Sequence, residues 1–139
     1  MTIEYRENAP ISVDVLTKLY LDGGWTAYTD HPGKVACMLA GSLWHMSAWA
    51  QGQLVGLIRC VGDDCSILYI QDILVDEAWQ RRGIGLHLMQ AALERFRHIR
   101  QTVLITDDAP NTRAFYQAAG LQLVEETDGL CYVHYNLDR

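Results

Sequence analysis

Apolar and polar residues alternate over Thr2-Ile3-Glu4-Tyr5-Arg6, and that period of two predicts a first strand. Ser12 precedes Val13, Leu16, Leu19 and Tyr20, which recur at helical spacing, so the serine is placed to cap a helix with that apolar face. Gly23-Gly24-Trp25-Thr26-Ala27-Tyr28 breaks it. Asp30-His31-Pro32 resembles the start of a second helix, with a capping residue and an early proline, ending near Gly41. Residues 43–50 and 54–61 read as two strands joined by a tight Gln51-Gly52 turn. After the turn Gly62-Asp63-Asp64, residues 66–75 are apolar on both faces, as expected at the centre of a covered sheet.

The period changes at Gly83. Ile84, Leu88, Met89, Ala92, Leu93 and Phe96 form a helical stripe, with Gln90, Glu94, Arg95 and Arg97 facing away. Residues 102–106 read as another buried strand, and residues 111–119 as a short helix ended by Gly120. Residues 121–125 and 131–137 are expected to close the chain as a hairpin around Thr127-Asp128-Gly129. The resulting order, β-α-α-β-β-β-α-β-α-β-β, predicts one mixed α/β domain over residues 1–139, its helices covering a sheet.

Composition narrows the class. Half of the 139 residues are apolar and a fifth are charged, which excludes a disordered chain. A net charge of -6 gives no general electrostatic reason to bind nucleic acid, and it favours a basic partner. The apolar runs are strand-sized, short of the roughly 20 residues that cross a bilayer, so no membrane association is expected. The first residues lack the basic and apolar regions of a secretory signal, which points to the cytoplasm. Cys37, Cys60, Cys65 and Cys131 form no CxxC or zinc spacing and read as free thiols, with all but Cys65 buried. The five histidines are scattered, and no metal is assigned.

The segment from Ile70 to Gly85 carries the most chemistry. A strand runs into a short loop, and then Gly83 and Gly85 open an amphipathic helix that lacks a Ser or Thr cap. The first turn of a helix has free N–H groups and a dipole that favours an anion, and glycines let a phosphate approach the backbone. Arg81 and Arg82 add positive charge. A Walker A loop is excluded because no Gly-Lys-Ser/Thr follows, and a dinucleotide fingerprint is opposed by Leu88 at the third glycine position.

Gln80-Arg81-Arg82-Gly83-Ile84-Gly85 matches the Q/R-x-x-G-x-G/A signature of the GCN5-related N-acetyltransferase (GNAT) superfamily, and Asp72-Ile73-Leu74-Val75 resembles its fourth strand. The segment from Asn111 to Leu121 resembles its later N-x-x-A-x-x-F/Y-Y-x-x-x-G-F pattern with one fewer intervening residue, Leu121 standing where phenylalanine is usual. The chain thus resembles a small, single-domain member of bacterial type.

That resemblance implies a mixed, mostly antiparallel seven-stranded sheet with helices on both faces, its fourth and fifth strands splayed apart. Acetyl-coenzyme A would lie in the opening. Backbone groups of Leu74 and Val75 would hold the pantetheine and the acetyl carbonyl. N–H groups of Arg81, Arg82, Gly83, Ile84, Gly85 and Leu86 would hold the pyrophosphate, Gln80 belongs to the same coenzyme-binding turn, and Asn111 is a helix cap, a donor to the pantetheine, or both. The co-substrate partner is a small-molecule or peptide amine. Many members of the family form homodimers, but no feature of this sequence marks a dimer surface. A non-catalytic acyl-coenzyme A sensor or scaffold is the alternative reading.

Acetyl transfer to an amine needs a neutral nucleophile, a stabilised oxyanion and a protonated leaving thiolate. Tyr116 is the acid candidate, because a phenol with pKa about 10 stays protonated near neutrality and the resemblance places a tyrosine near the sulfur. Asp72, a carboxylate inside an apolar strand, is the candidate base or amine-orienting group, with a structural hydrogen bond as its rival role. Gln71 should point to the opposite face unless a bulge breaks alternation. Trp25 and Tyr28 are candidates for the acceptor pocket or for core packing.

Overall fold

Five strands lie side by side in chain order: β1 (Glu4–Glu7), β2 (Trp44–Ala50), β3 (Gln53–Gly62), β4 (Ile67–Val75) and β5 (Gln101–Val103). The first four are antiparallel neighbours, and β5 pairs with β4 in parallel. The computed structural model describes residues 2–31 and 33–136. Pro32, expected in the first turn of a helix, and Leu137, expected in the last strand, lie outside the described residues.

Three helices follow β1. Ser12 Oγ accepts from Val15 N at 3.3 Å and starts α1 (Val13–Asp22), as its sequence predicts. A single turn, α2 (Thr26–Thr29), occupies the connection expected to be irregular. Asp30 ends that turn instead of opening the next helix, and α3 (Lys34–Ala40) begins after Gly33 in the left-handed region at φ 84°. The hairpin β2–β3 turns at Gln51 and Gly52, both with positive φ, as tight two-residue hairpins require.

The sheet of the first compact unit, Met1–Ile105, is covered on both faces. Leu57 and Leu74 pack with Leu16, Leu19, Tyr20 and Val35 from α1 and α3. On the opposite face lies α4 (Ile84–Arg95), whose Ile84 would stand 3.2 Å from a Cβ placed on Gly56. Trp44 meets Phe96 there edge to face at 5.7 Å. Burial of each such leucine contributes about 1.5–3 kcal/mol.

The second unit, Thr106–Arg139, holds α5 (Pro110–Ala118) and a 3-10 turn, Val124–Thr127. The expected seven-stranded sheet is therefore corrected to five strands among the described residues. The closing hairpin is what fails to form. Thr127 Oγ1 and Gly129 N both bond to Val124 O, and Asp128 turns left-handed at φ 63°, so the segment curls on itself instead of offering a ladder. Residues 131–136 form no strand among the described residues, and Tyr132 and Tyr135 are exposed. The expected burial of Cys37 and Cys131 also fails; only Cys60 is buried, where desolvation pushes its thiol up to about 12.

Candidate active site

The parallel ladder between β4 and β5 ends at Tyr69 opposite Val103. From there β4 runs on to Val75 with no strand paired on that side among the described residues. Its other side stays zipped to β3 as far as Val75 opposite Gly56. Because β5 stops at Val103, Ile70–Val75 of β4 has no paired strand on that side among the described residues.

Within this stretch the strand carries a bulge. Ile70 pairs with Cys60 and Asp72 with Arg59, so Gln71 is the extra residue. The bulge changes which parity faces α1. It sets Asp72 opposite Arg59, whereas the unshifted register would set Gln71 there. It also breaks the alternation that would otherwise separate Gln71 from Asp72.

Asp72 is 1% exposed and both of its oxygens are engaged. Oδ2 accepts from Arg59 Nε at 2.7 Å and from the Tyr20 hydroxyl at 2.8 Å. Oδ1 accepts from the Tyr28 hydroxyl at 2.9 Å. Gln71 Nε2 in turn donates to the Tyr28 oxygen at 3.0 Å. Arg59 also reaches Met38 O and Ser42 Oγ, both at 3.3 Å, which ties the end of α3 to the same pair. Burial works against the Arg59 charge, but the attraction of Asp72 outweighs it and its pKa is raised. The Tyr20 phenol is driven far above its ordinary range by desolvation, reinforced by the Asp72 charge. Tyr28 is also raised, chiefly by partial burial, with the Gln71 bond opposing.

The Trp25 and Tyr28 ring centroids lie 5.7 Å apart, and both side chains pack against the α1–α3 core. Arg59 and Tyr20 are the members of this group that the sequence did not flag. A single charge of each sign in two neighbouring apolar strands was the available signal for the pair. Without knowledge of the bulge, no register argument could match them.

The turn after β4 is built locally. Asp76 Oδ1 accepts from Ala78 N and caps a single 3-10 turn, Glu77–Trp79. Gln80 Nε2 donates to Val75 O at 3.0 Å, so this side chain closes the loop onto the strand. Arg81 adopts φ 64°, uncommon for a residue with a Cβ, and Arg82 stacks over Trp79 at 4.7 Å. Gly83 follows at φ 81° as the cap residue of α4, and no side chain caps that helix. The first helical bond is His87 N to Gly83 O, which leaves the N–H groups of Ile84, Gly85 and Leu86 outside the helical ladder.

In the second unit, Ala109 is the cap residue of α5 and Pro110 its first residue, so Asn111 does not serve as the cap. Its Oδ1 accepts from Thr112 N, and its side chain is exposed. Tyr116 is half-buried, edge to face with Phe115 at 5.0 Å. Burial raises its pKa, a hydrogen bond with Thr106 opposes the shift, and the Asp107 charge adds to it.

Comparison with known proteins agrees with this architecture. The family described as Acetyltransferase (GNAT) family matches residues 13–121. A ycf52-like N-acetyltransferase of Prochlorococcus marinus, itself uncharacterized, is 30% identical over 114 residues, 78% of this chain. The chain spans 61% of that relative's length. Among solved structures, a GNAT family acetyltransferase of Streptococcus pneumoniae is 29% identical with a TM-score of 0.86, covering 97% of this chain and 98% of the other. A protein of meticillin-resistant Staphylococcus aureus shares the fold at a TM-score of 0.75 and 19% identity, covering 96% and 100%.

Proposed function

From the premise that the chain belongs to the Acetyltransferase (GNAT) family, we propose that it transfers acetyl from acetyl-coenzyme A to a primary amine of a small molecule or peptide. Amine attack is direct, in a ternary complex in the cytoplasm. The observation that carries this reading is the uncapped start of α4 at left-handed Gly83, directly after the open edge of β4. An anion with several acceptor oxygens fits that arrangement, because the loose N–H groups and the helix dipole both favour it.

When bound, the coenzyme supplies an activated acetyl group. The chain's own residues then divide the work. The first-turn N–H groups of Ile84, Gly85 and Leu86, with Arg81 and Arg82, hold the pyrophosphate. Leu74 and Val75 hold the pantetheine and the acetyl carbonyl along the strand edge. Gln80 shapes the turn through Val75 O, and Asn111 offers its free amide N–H groups to the pantetheine. Tyr116, kept protonated by its raised pKa, donates the proton to the departing thiolate. Trp25 and Tyr28 wall the acceptor pocket. Full burial and three bonds to its oxygens favour a structural role for Asp72 over contact with the amine or proton abstraction, which leaves the proton transfer to water.

Isothermal calorimetry should show acetyl-coenzyme A binding at about one site per folded chain, and thiol release should follow addition of an acceptor amine. Absence of binding to well-folded protein would overturn the proposal. Tight binding without turnover across a broad amine panel would support a sensor instead.

A further inference from the structure

We propose that Tyr28 is a positioning residue that fixes the orientation of the Gln71 side-chain amide, so that Gln71 Oε1 accepts an N–H of the amine substrate. The proposal rests on the acetyltransferase reading and adds to it the group that would orient the nucleophile.

Hydrogen-bond direction decides which end of the Gln71 amide faces Tyr28. Asp72 is one half of a buried ion pair with Arg59, and a carboxylate in that state only accepts. The Tyr28 hydroxyl has one proton, committed to Asp72 Oδ1 at 2.9 Å. Its oxygen can therefore only accept from any other neighbour. The neighbour at 3.0 Å is the Gln71 amide, which must present its N–H. The Gln71 Oε1 is thereby turned away from Tyr28, and it has no hydrogen-bond partner among the described residues. The charge on Asp72 thus sets, through one hydroxyl, which end of an exposed amide faces outward.

Location gives that oxygen a use. Gln71 is the bulge residue of β4, exposed, and lies just past Tyr69, where the ladder to β5 ends. It stands on the same open stretch of strand that leads into the α4 turn. An amine brings N–H donors, and a neutral carbonyl oxygen aligns them without the charge that would hold the amine as ammonium. The opposite amide orientation would donate an N–H to the amine's lone pair and so occupy the electron pair that must attack.

The test uses the full chain in two arms. In 15N-labelled protein the Gln71 side-chain amide signals are assigned by their loss in Q71M. The wild type should show two well-separated amide protons, one protected from exchange, and Y28F should move both toward free-amide positions. In steady-state assays with benzylamine, spermidine and a lysine-containing peptide, Q71M should raise the amine KM about tenfold on whichever amine is acetylated. Its kcat and acetyl-coenzyme A affinity should change by less than about twofold, a split that general loss of structure would not give. Y28F should shift KM in the same direction. Because Gln71 is exposed, Q71M carries the test even where Y28F folds poorly. Identical amide signals in wild type and Y28F, or an unchanged amine KM in Q71M, would overturn the proposal. A wild type that binds acetyl-coenzyme A but acetylates none of these amines would remove the substrate half of it together with the acetyltransferase reading, while the amide signals separately decide the orientation.

Discussion

Arg59 Nε and Asp72 Oδ2 meet at 2.7 Å with side chains 7% and 0% exposed, across a register that exists only because Gln71 bulges from β4. The pair joins three elements. Tyr20 reaches it from α1, Tyr28 from α2, and the end of α3 through Met38 O. The wall proposed to receive the acceptor is thus anchored to the strand proposed to receive the coenzyme.

Breaking this pair on one side should be costly. Asp72→Asn leaves Arg59 buried without its counter-charge, and a loss of about 3–5 kcal/mol is expected from chemical denaturation. Replacing both partners with apolar residues of similar size should cost less than the single change. If Asp72→Asn left stability untouched and removed only the acidic limb of the rate profile, Asp72 would be the base and not the anchor.

Much of the scaffold around this pair was legible. Ser12 caps its helix, Gln51-Gly52 turns its hairpin and the stripe from Ile84 to Phe96 lies buried except for half-buried Leu93, because each depends on local spacing alone. Asp72 could be picked out as a lone carboxylate in an apolar strand, but its partner could not. A bulge is a tertiary choice that leaves little mark on composition. The C-terminal segment failed for the opposite reason: it alternates like a strand, yet Val124–Thr127 closes a local turn that takes its partner away. Alternation predicts a face only where a neighbouring strand exists to receive it.

The α4 turn separates backbone strain from charge. Gly83 sits at φ 81°, and no atom lies within 4 Å of the place a Cβ would take, so Gly83→Ala meets strain without a clash. It should cost about 1–2 kcal/mol of stability. Gly83→Asp adds a negative charge where a phosphate is expected, and should weaken acetyl-coenzyme A by about tenfold beyond the alanine variant. Equal affinities for the two variants in calorimetry would argue against an anion at this helix start.

Tyr116→Phe should leave folding and coenzyme affinity nearly unchanged while lowering the chemical rate by roughly 10²-fold. The ring, and with it the edge-to-face contact with Phe115, is retained. Because burial raises the phenol, its proton should remain available through neutral and mildly alkaline pH. Single-turnover rates for wild type and variant decide the matter, and matching rates would remove Tyr116 from the acid role.

Alkaline pH should loosen the first unit in two stages set by Cys60 and Tyr20. Burial lifts the Cys60 thiol from an ordinary value of 9.0 to about 12, and lifts the Tyr20 phenol still further above its ordinary 10.0. In both cases the folded state holds the proton more tightly than the unfolded state. The stabilisation is therefore complete below the unfolded pKa and declines as pH rises above it, by up to about 1.4 kcal/mol per pH unit for each group. Loss from Cys60 should begin near pH 9.0 and end near 12, and loss from Tyr20 should begin near 10.0. Urea titrations at pH 8 to 11 (about one measurement per half unit) should show Cys60→Ala flattening the decline from its start. Tyr20→Phe should flatten only the part above about pH 10, on a baseline lowered by the lost bond to Asp72. Parallel curves for wild type and both variants would mean that neither group carries the alkaline sensitivity.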